Sequence, residues 1–479
     1  PWTPGDNGKV TSTPNIEGLI ETLAPIFGDR LSTTDDDRAN HAADVSHHGP
    51  HPPQAVCWPL TTDDVVSAVN ACRQDRVPLI PYGTGTAVEG GVAAVSGGLC
   101  LDTSRMDRIL DVQARDMDAT VQAGVTREQL NRHLATLPDK VFFPVDPGAD
   151  ASLGGMAATR ASGSAAVGYG TMRDNVLGLK AVFADGAIVE VGGRARKSSA
   201  GYDLTRLLVG SEGTLGFVVE ATVKLTRQPK DLTCLVLGAP GFREVMKILH
   251  AFQQDIDLTA FEFFSDKAMA HVLAHGVPKP FDTECPFYCL LEFEQLSEQI
   301  GEQAMAIFEK CVEEGWVLDG VMSQSLQQLD QLWQLRERIS ESIAPHTPYK
   351  NDISVSIASV PDFVEDVDTV VQDAYPDFEI VWFGHIGDGN MHLNILKPAD
   401  LAKEDFFAKC NNVSKWVFEI VEKYNGSISA EHGVGMTKKP YLEYSRSPEE
   451  IACMKAVKHV FDPLSLIHIS EPTRLGMIS

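Results

Sequence analysis

Residues 144–186 read PVDPGADASLGGMAATRASGSAAVGYGTMRDNVLGLKAVFADG. The small side chains of residues 152–166 cannot fill a protein core by themselves, and they leave room for a large flat ligand lying against the backbone. A Gly/Ala-rich helix packed closely on a sheet is the alternative explanation of the same stretch. The stretch therefore favours an α/β or α+β domain, and the flanking loops bear on whether that domain binds a ligand.

Two further glycine-rich regions flank this stretch. Residues 81–91 (PYGTGTAVEGG) follow a predicted strand at 77–81, and the backbone N–H groups of such a loop are able to form a nest for a pyrophosphate, although an ordinary turn has the same composition. Residues 197–216 (KSSAGYDLTRLLVGSEGTLG) end in a tight loop before a predicted strand at 217–225. Neither loop fits GxGxxG or GxxxxGK[ST], because Val88 replaces the third glycine of the first motif and Arg196 precedes Lys197 in the nearest candidate for the second. A standard Rossmann or P-loop site is therefore excluded.

A histidine-containing hairpin is predicted at residues 381–396 (VWFGHIGDGNMHLNIL). Asp388-Gly389 between two apolar runs is a strong signal for a two-residue turn, which would pair His385 with His392. Directly opposed residues share one face, so the two imidazoles are able to share a divalent metal, and Asn394 faces the same side. A pair of hydrogen-bonded surface histidines is the alternative.

The segment at residues 427–435 (SISAEHGVG) offers a carboxylate to the same metal. Glu431 would be that ligand, and His432 would face a different direction. Taken alone, this motif does not establish a site.

A basic residue lies on the apolar stripe of a helix predicted at 326–343. Arg336 is three and four residues from Trp333 and Leu332, and a buried arginine requires an anion. An arginine that extends over Trp333 to solvent is the alternative. Ser340 follows one turn later, and Lys350 precedes a strand predicted at 353–357.

In their order and spacing, the three glycine-rich regions resemble the FAD-binding domain of the vanillyl-alcohol oxidase / p-cresol methylhydroxylase flavoprotein superfamily. Within it, PGADASLGGMAATRASG and YGTMRDNVLGL are similar to the D-2-hydroxyacid dehydrogenases, most of all to the cytochrome-type D-lactate dehydrogenases. The resemblance covers about residues 40–464. After Phe461-Asp462-Pro463-Leu464 the chain departs from the family pattern.

The resemblance implies FAD as the cofactor, with its pyrophosphate on the backbone of residues 83–86. Glu212, Gly213 and the strand at 188–189 would complete the adenine and ribose end. No histidine lies between residues 76 and 99, so we expect the FAD to be non-covalent. The residues implied to bind FAD are Pro81, Tyr82, Gly83, Thr84, Gly85, Thr86, Pro147, Gly148, Ser152, Gly154, Gly155, Thr159, Ser162, Gly163, Glu212 and Gly213.

The resemblance also implies the remaining site residues. His385, His392 and Glu431 would bind a divalent metal, often zinc. Arg336, Ser340 and Lys350 would bind the substrate carboxylate.

The implied reaction oxidises a D-2-hydroxyacid, with D-lactate favoured, to the 2-oxoacid. His432 would remove the hydroxyl proton, Asn394 would orient the hydroxyl or a water, and the hydride would pass to flavin N5. No CxxCH motif or iron–sulfur cysteine array occurs, so the electron acceptor is expected to be external: cytochrome c, a quinone or an electron-transfer flavoprotein.

Several rival functions stay open at this point. Glycolate or D-2-hydroxyglutarate could replace D-lactate, although the sequence does not reveal an anchor for a second carboxylate. An oxidase that uses oxygen, a metal-dependent hydrolase with nucleotide-binding loops, and a catalytically dead flavin-binding subunit are further alternatives. The hydrolase lacks both HExxH and GxSxG signatures.

The predicted organisation is α+β, with a two-subdomain FAD-binding domain and an antiparallel-sheet substrate (cap) domain backed by helices. We expect an N-terminal arm and helix at 1–50, the FAD-binding domain at 51–229, the cap at 230–425, and a C-terminal segment that completes the active site at 426–464. Residues 465–479 read as an aberrant tail that resembles translated sequencing-adapter read-through, with a genuine variant tail as the alternative.

Composition and charge limit the partners. The 479 residues carry 40 Lys+Arg against 66 Asp+Glu, a net charge of −26, so general nucleic-acid binding is excluded. No apolar run is long enough for a transmembrane span. The nine cysteines are scattered without a CxxC pair, which indicates reduced thiols. We therefore expect a cytoplasmic protein, either free or peripheral to a membrane. If the source is eukaryotic, we expect it on the matrix side in mitochondria. The oligomeric state is left open, a homodimer included.

Overall fold

The computed structural model describes residues 14–46, 49–195 and 197–467. A four-stranded, a five-stranded and a two-stranded sheet (residues 141–142 paired with 226–227) form the glycine-rich part of the chain with their helices, and a seven-stranded sheet with helices on both faces follows. The predicted α+β class, with a two-subdomain domain followed by an antiparallel-sheet cap, is confirmed.

The first subdomain is a four-stranded sheet in the order β1-β2-β4-β3, in which β2, β4 and β3 run parallel. Helix α3 buries Val65, Val69 and Cys72, as its apolar periodicity predicts, and Thr61 caps its start by accepting the N–H of Asp64. The elements are α1 (Ile16–Phe27), β1 (Leu31–Ser32), α2 (Asp35–Asn40), β2 (Ala55–Cys57), α3 (Thr62–Asp75), β3 (Leu79–Tyr82) and β4 (Leu99–Asp102).

The second subdomain is an antiparallel sheet in the order β5-β6-β10-β8-β9. Phe217 and Val219 of β10 share one hydrophobic core with α3 and the first sheet, so the two subdomains pack on each other. The elements are β5 (Ile109–Gln113), β6 (Asp118–Gln122), α4 (Arg127–Ala135), β7 (Val141–Phe142), α5 (Leu153–Thr159), α6 (Ala166–Tyr169), α7 (Met172–Asn175), β8 (Val176–Val182), β9 (Ile188–Gly192), α8 (Leu204–Leu208), β10 (Phe217–Lys224) and β11 (Thr226–Arg227).

The cap is an antiparallel sheet in the order β15-β12-β14-β13-β17-β18-β16. Helices α9, α11, α14 and α15 cover one face, while α10, α12 and α13 cover part of the other face. The elements are β12 (Leu232–Ala239), α9 (Phe242–Gln253), β13 (Leu258–Ser265), α10 (Asp266–Ala274), β14 (Phe287–Glu294), α11 (Glu298–Glu313), β15 (Asp319–Met322), α12 (Leu326–Glu337), α13 (Ile339–Ile343), β16 (Tyr349–Ser354), α14 (Val360–Ala374), β17 (Glu379–Gly384), β18 (Asn390–Leu396) and α15 (Lys403–Lys423).

Three details of the cap differ from the sequence-based predictions. The hairpin of β17 and β18 pairs Phe383 with His392, so the predicted pairing of His385 with His392 is wrong by two residues; a short 3₁₀ helix at Ile386–Asp388 lengthens the turn. The predicted helix at 326–343 is interrupted at Arg338. The strand predicted at 353–357 begins earlier, as β16, because Tyr349 already pairs with Ile395.

The end of the described chain returns to the first subdomain. After α16 (Pro448–Phe461), the N–H of Leu79 donates to the carbonyl of Leu466, and Ile467 is buried in the core beside α3. The suspected tail therefore includes residues that are part of the fold up to Ile467, and the remainder of the tail lies outside the described residues.

Two further features of the structure concern membrane-spanning helices and the cysteine thiols. Among the described residues, no helix combines the length and the apolar character that crossing a bilayer requires. All nine cysteines are free thiols, and only Cys453 is exposed.

A buried ion pair holds the chain after α16 against the first subdomain, and its contribution to stability can be tested. The Lys458 ammonium lies 2.7 Å from Asp462 Oδ2 and also donates to the carbonyl oxygens of Thr214 and Ile467. We expect Asp462→Ala to lower the free energy of unfolding by about 3–5 kcal/mol, because it leaves a buried charge without its counter-ion. Urea unfolding followed by circular dichroism measures the shift.

The control lies in the same helix. Arg446 and Glu450 form an ion pair whose side chains are about half exposed, so Glu450→Ala should move the urea midpoint far less. Equal shifts for the two variants would contradict the assignment of Lys458 and Asp462 as a stabilising buried pair.

Candidate active site

One cavity of about 1110 Å³ lies between the glycine-rich loops and the open part of the cap sheet. All the residues predicted to bind metal or substrate or to move the proton line this cavity, as do all those predicted to bind FAD except the strand at 188–189. The fold therefore brings together the three glycine-rich regions, the hairpin, the broken helix and the segment around Glu431, although their ligands stay predictions.

Close backbone contacts join the glycine-rich regions. A Cβ on Gly83 would lie 2.5 Å from Ser152 Oγ, so the first loop rests on the residue that caps α5. A Cβ on Gly154 would lie 2.6 Å from Ala123 Cβ, and one on Gly163 would overlap the carbonyl oxygen of Asp146. Gly148 has φ +75° and no neighbour at its Cβ position, which leaves open space along the cavity wall.

The residues predicted for the adenine end of FAD differ in their position. Residues 188–189 lie on β9, the edge strand of their sheet, and are not among the residues that line the cavity. Glu212 does line it, and its two carboxylate oxygens accept the backbone N–H groups of Val434 and Gly435 at 2.8 and 2.9 Å. The carboxylate therefore fixes the C-terminal segment, and its contact with FAD stays a prediction.

The three predicted metal ligands converge on one point. His385 Nε2 lies 3.3 Å and His392 Nε2 lies 3.6 Å from the same oxygen, Glu431 Oε1. The other oxygen, Glu431 Oε2, is buried without a hydrogen-bond partner. Two imidazole nitrogens and a carboxylate are donors that zinc prefers, so this donor set fits a divalent cation.

The charged groups in this cluster shift one another's pKa values. Burial opposes a charge on His385, but the carboxylates of Glu262 and Glu431 outweigh burial and raise the pKa of His385 to about 10. Burial, together with the charge on His385, lowers the pKa of His392 to about 3. His392 is therefore neutral at ordinary pH, which is the form of imidazole that binds a metal.

Asp352 is a central residue that the sequence analysis missed. Its Oδ2 accepts the backbone N–H groups of Ala430, Glu431 and His432 at 2.8–3.0 Å, and its Oδ1 accepts the Asn390 amide at 2.8 Å. It belongs to a group of potential ligands with His392, Glu431 and His432. Because four hydrogen bonds tie its carboxylate to Asn390 and to the segment at 430–432, we assign it first to holding that segment.

His432, the predicted base, faces two carboxylates. Its Nδ1 lies 3.6 Å from Glu89 Oε1 and 3.9 Å from Asp352 Oδ2. Burial opposes its charged form, but the carboxylates of Asp352, Glu89 and Glu431 together outweigh burial and raise the pKa of His432. The Lys438 ammonium lies 2.9 Å from Glu89 Oε1 and 3.9 Å from Asp352 Oδ2, so its one positive charge offsets part of the negative charge of these two carboxylates.

Arg336 is buried at 7% exposure, which contradicts the alternative of an arginine extending over Trp333 to solvent. Its Nε forms an ion pair with Glu262 Oε2 at 2.7 Å, and its guanidinium lies 4.8 Å from the centre of the Phe383 ring. The contact with Glu262 is not aligned as a hydrogen bond. Its two terminal nitrogens have no hydrogen-bond partner among the described residues, and the residue lines the cavity.

Lys350, Asn394 and Ser340 complete the set. Lys350 pairs with Asn394 across β16 and β18, and the side chains of both lie on the face that carries Asp352 and His392. The Lys350 ammonium has no ion-pair partner among the described residues. The residue is exposed at the open cavity, and partial desolvation by the surrounding protein lowers its pKa. Ser340 follows the helix break at Arg338 and lines the same cavity.

The missed residues share a recognisable signal. Glu262, in TAFEFFS, is a charged residue within an apolar run, and Asp352 stands two residues after Lys350, on the same strand face. Glu89 lies inside the first glycine-rich loop. A charged residue in a run that is otherwise buried requires a partner, and that requirement could have singled out all three.

Comparison with known proteins agrees with this architecture. Residues 53–192 match the model of an FAD binding domain, and residues 228–467 match the C-terminal domain of FAD linked oxidases. The solved structure of p-cresol methylhydroxylase with substrate bound superposes with a TM-score of 0.76 over 96% of both chains, at 14% identity, and shares the fold.

Full-length relatives narrow the family. The D-2-hydroxyglutarate dehydrogenase of Stutzerimonas stutzeri (strain A1501) is 51% identical over 94% of this chain and 97% of its own length. A probable mitochondrial D-lactate dehydrogenase of Danio rerio is 33% identical over 95% of this chain and 92% of its own length. Both domains match FAD-linked families, and both relatives align over almost the whole chain. This protein therefore belongs to the FAD-linked D-2-hydroxyacid dehydrogenases, which have the vanillyl-alcohol oxidase / p-cresol methylhydroxylase fold.

Proposed function

We propose that this protein oxidises D-2-hydroxyglutarate to the 2-oxoacid with non-covalent FAD and a divalent metal, zinc being the metal that the donor set favours. The observation that carries the proposal is the unpaired Lys350 ammonium beside the His385, His392 and Glu431 cluster, in a cavity walled by glycine-rich loops. The sequence favoured D-lactate, which the comparisons do not confirm. The greater identity to a relative named for D-2-hydroxyglutarate favours the dicarboxylate, and D-lactate is the second candidate.

Binding of an anionic substrate follows from the cations in the cavity. The chain as a whole is acidic, with a net charge of −26, so a carboxylate requires a local basic site. Lys350 and the terminal nitrogens of Arg336 supply that site, and a dicarboxylate offers a partner to the cations and a second carboxylate to the metal cluster. Ser340, on the same wall, is in place to donate a further hydrogen bond.

Proton transfer is assigned to His432. It lines the cavity beside the metal ligands, and Asp352 and Glu89 stabilise the imidazolium that forms when it takes the hydroxyl proton. Asn394 lines the same wall and is placed to orient the hydroxyl. A bound divalent cation would polarise that hydroxyl, and bound FAD would accept the hydride from the substrate carbon.

The proposal extends to the partners predicted from the sequence. The electrons are passed to an external acceptor, either cytochrome c, a quinone or an electron-transfer flavoprotein. We also propose that the protein is cytoplasmic and forms a homodimer.

Anaerobic flavin reduction tests the substrate. We expect D-2-hydroxyglutarate to bleach the flavin absorbance with a kcat/KM at least tenfold above that of D-lactate, since one additional ionic contact of about 1.4 kcal/mol accounts for a factor of ten. Stopped-flow spectroscopy measures both rates. A higher kcat/KM for D-lactate would select D-lactate as the substrate. If D-2-hydroxyglutarate, D-lactate and glycolate all failed to bleach the flavin, the proposed reaction would be overturned.

Steric contact between two loops tests the cofactor site. Gly83→Ala should lower the FAD retained per chain after gel filtration, because the new methyl group meets Ser152 Oγ. Ser152→Ala removes that oxygen at a cost of about 1 kcal/mol in helix capping. The double variant should therefore retain more FAD than Gly83→Ala alone, and equal losses would argue against this contact.

The lowered pKa of Lys350 predicts that activity falls at alkaline pH. Partial desolvation lowers the pKa of Lys350 below its ordinary value of 10.5, so its positive charge is present at low pH and is lost as the pH rises through the lowered value. We expect kcat/KM to fall across that range and the fall to move to higher pH in Lys350→Arg, which keeps its charge. An unchanged alkaline limb in the arginine variant would assign the limb to another group.

A further inference from the structure

We propose that Glu262 is a positioning residue that couples metal binding to substrate binding, by fixing His385 with one oxygen and Arg336 with the other. This inference rests on the proposed function, because it takes His385 as a metal ligand and Arg336 as a substrate contact. It adds a residue that the predicted site did not contain.

Geometry places Glu262 between the two functional groups. It lies on β13, next to the hairpin strand β17 in the cap sheet, and its side chain is fully buried. Its Oε1 lies 2.8 Å from His385 Nδ1, and its Oε2 lies 2.7 Å from Arg336 Nε. One carboxylate therefore touches two groups that the chain separates by 49 residues and that line the same cavity.

The contact with His385 determines which ring nitrogen faces the cluster. A carboxylate accepts hydrogen bonds, so Nδ1 carries the proton, and Nε2 is directed at Glu431. A carboxylate on the far nitrogen also orients the ring and makes it a stronger ligand, and loss of such a partner typically lowers metal affinity about 10–100-fold.

The contact with Arg336 determines what remains for the substrate. Because Nε is paired with Glu262 and the guanidinium lies over Phe383, the planar group has a fixed orientation. Its two terminal nitrogens stay available in the cavity for a carboxylate. Displacing the guanidinium would weaken the substrate complex without any change at the metal.

An amide in place of Glu262 cannot serve both groups. Its oxygen accepts only one of the two contacts, and its NH₂ group repels the donor on the other side. Glu262→Gln should therefore impair both metal and substrate binding. Arg336→Gln, which leaves the contact between Glu262 and His385 intact, should impair substrate binding alone.

A matched control is available on the neighbouring strand. Glu292 of β14 also lines the cavity and is half-buried, but its carboxylate accepts from Thr259 Oγ1 and Trp333 Nε1. Glu292→Gln removes the same charge from the same face of the sheet without touching His385 or Arg336. Its metal affinity should equal that of the unmodified protein.

The experiment uses the full-length, FAD-loaded protein. Zn²⁺ is removed with a chelator, Zn²⁺ affinity is then measured against a chromophoric chelator, and KM for D-2-hydroxyglutarate is measured separately. We expect Glu262→Gln to lower Zn²⁺ affinity about 10–100-fold and to raise KM. We expect Arg336→Gln to raise KM while its Zn²⁺ affinity stays within a factor of two of the control, as about 0.4 kcal/mol would allow.

The double variant Glu262→Gln/Arg336→Gln covers the case in which the single Glu262 variant does not fold, because it leaves no unpaired buried charge. Its Zn²⁺ affinity should lie about 10–100-fold below that of Arg336→Gln, and equal affinities would overturn the coupling role. Flavin reduction by substrate in the unmodified protein tests the proposed function independently. An unmodified protein that is reduced by substrate, with unchanged Zn²⁺ affinity and KM in Glu262→Gln, would refute this inference and leave the function standing.

Discussion

The buried carboxylate of Asp352 is the constraint on which the candidate site depends. Three consecutive backbone N–H groups, from Ala430 to His432, converge on its Oδ2, and the side chain of Asn390 donates to its Oδ1. Burial would favour the neutral acid, but His432, Lys438 and these N–H groups hold the pKa of Asp352 well below its usual range. The charge on one strand of the cap thereby fixes the direction of Glu431 and His432.

Residues of the FAD-binding domain also hold the segment that carries Glu431 and His432. Glu212 accepts two N–H groups of the segment that follows His432, and Glu89 accepts the ammonium of Lys438. Both residues belong to glycine-rich loops that wall the cofactor side of the cavity. The loops that would contact FAD and the segment that carries the candidate base are therefore parts of one hydrogen-bonded unit.

Local patterns were sufficient to predict the residues that line the cavity but not the contacts among them. The glycines, the two histidines and Glu431 stand in short motifs whose composition reflects backbone and donor requirements. The pairing of His385 with His392 failed by two residues because the turn contains a 3₁₀ helix, yet a shift of two preserves the strand face. The hydrogen bonds of Glu212 were not predicted because nothing in its own loop indicates a partner more than 200 residues away. Glu262 was missed because its strand was not predicted, and its partners lie on other elements.

The return of the chain to its first sheet has a consequence for biosynthesis. Strand β3 is at the edge of its sheet, and its outer side is covered only when residues 466–467 arrive, after the whole cap has been made. At about 5–20 residues per second, a ribosome needs roughly twenty to eighty seconds to make the stretch between β3 and residue 466. An uncovered edge strand is a template for pairing with other chains. The nascent protein therefore exposes this unpaired strand edge until residues 466–467 have been made, and during that interval the edge is open to pairing with another chain.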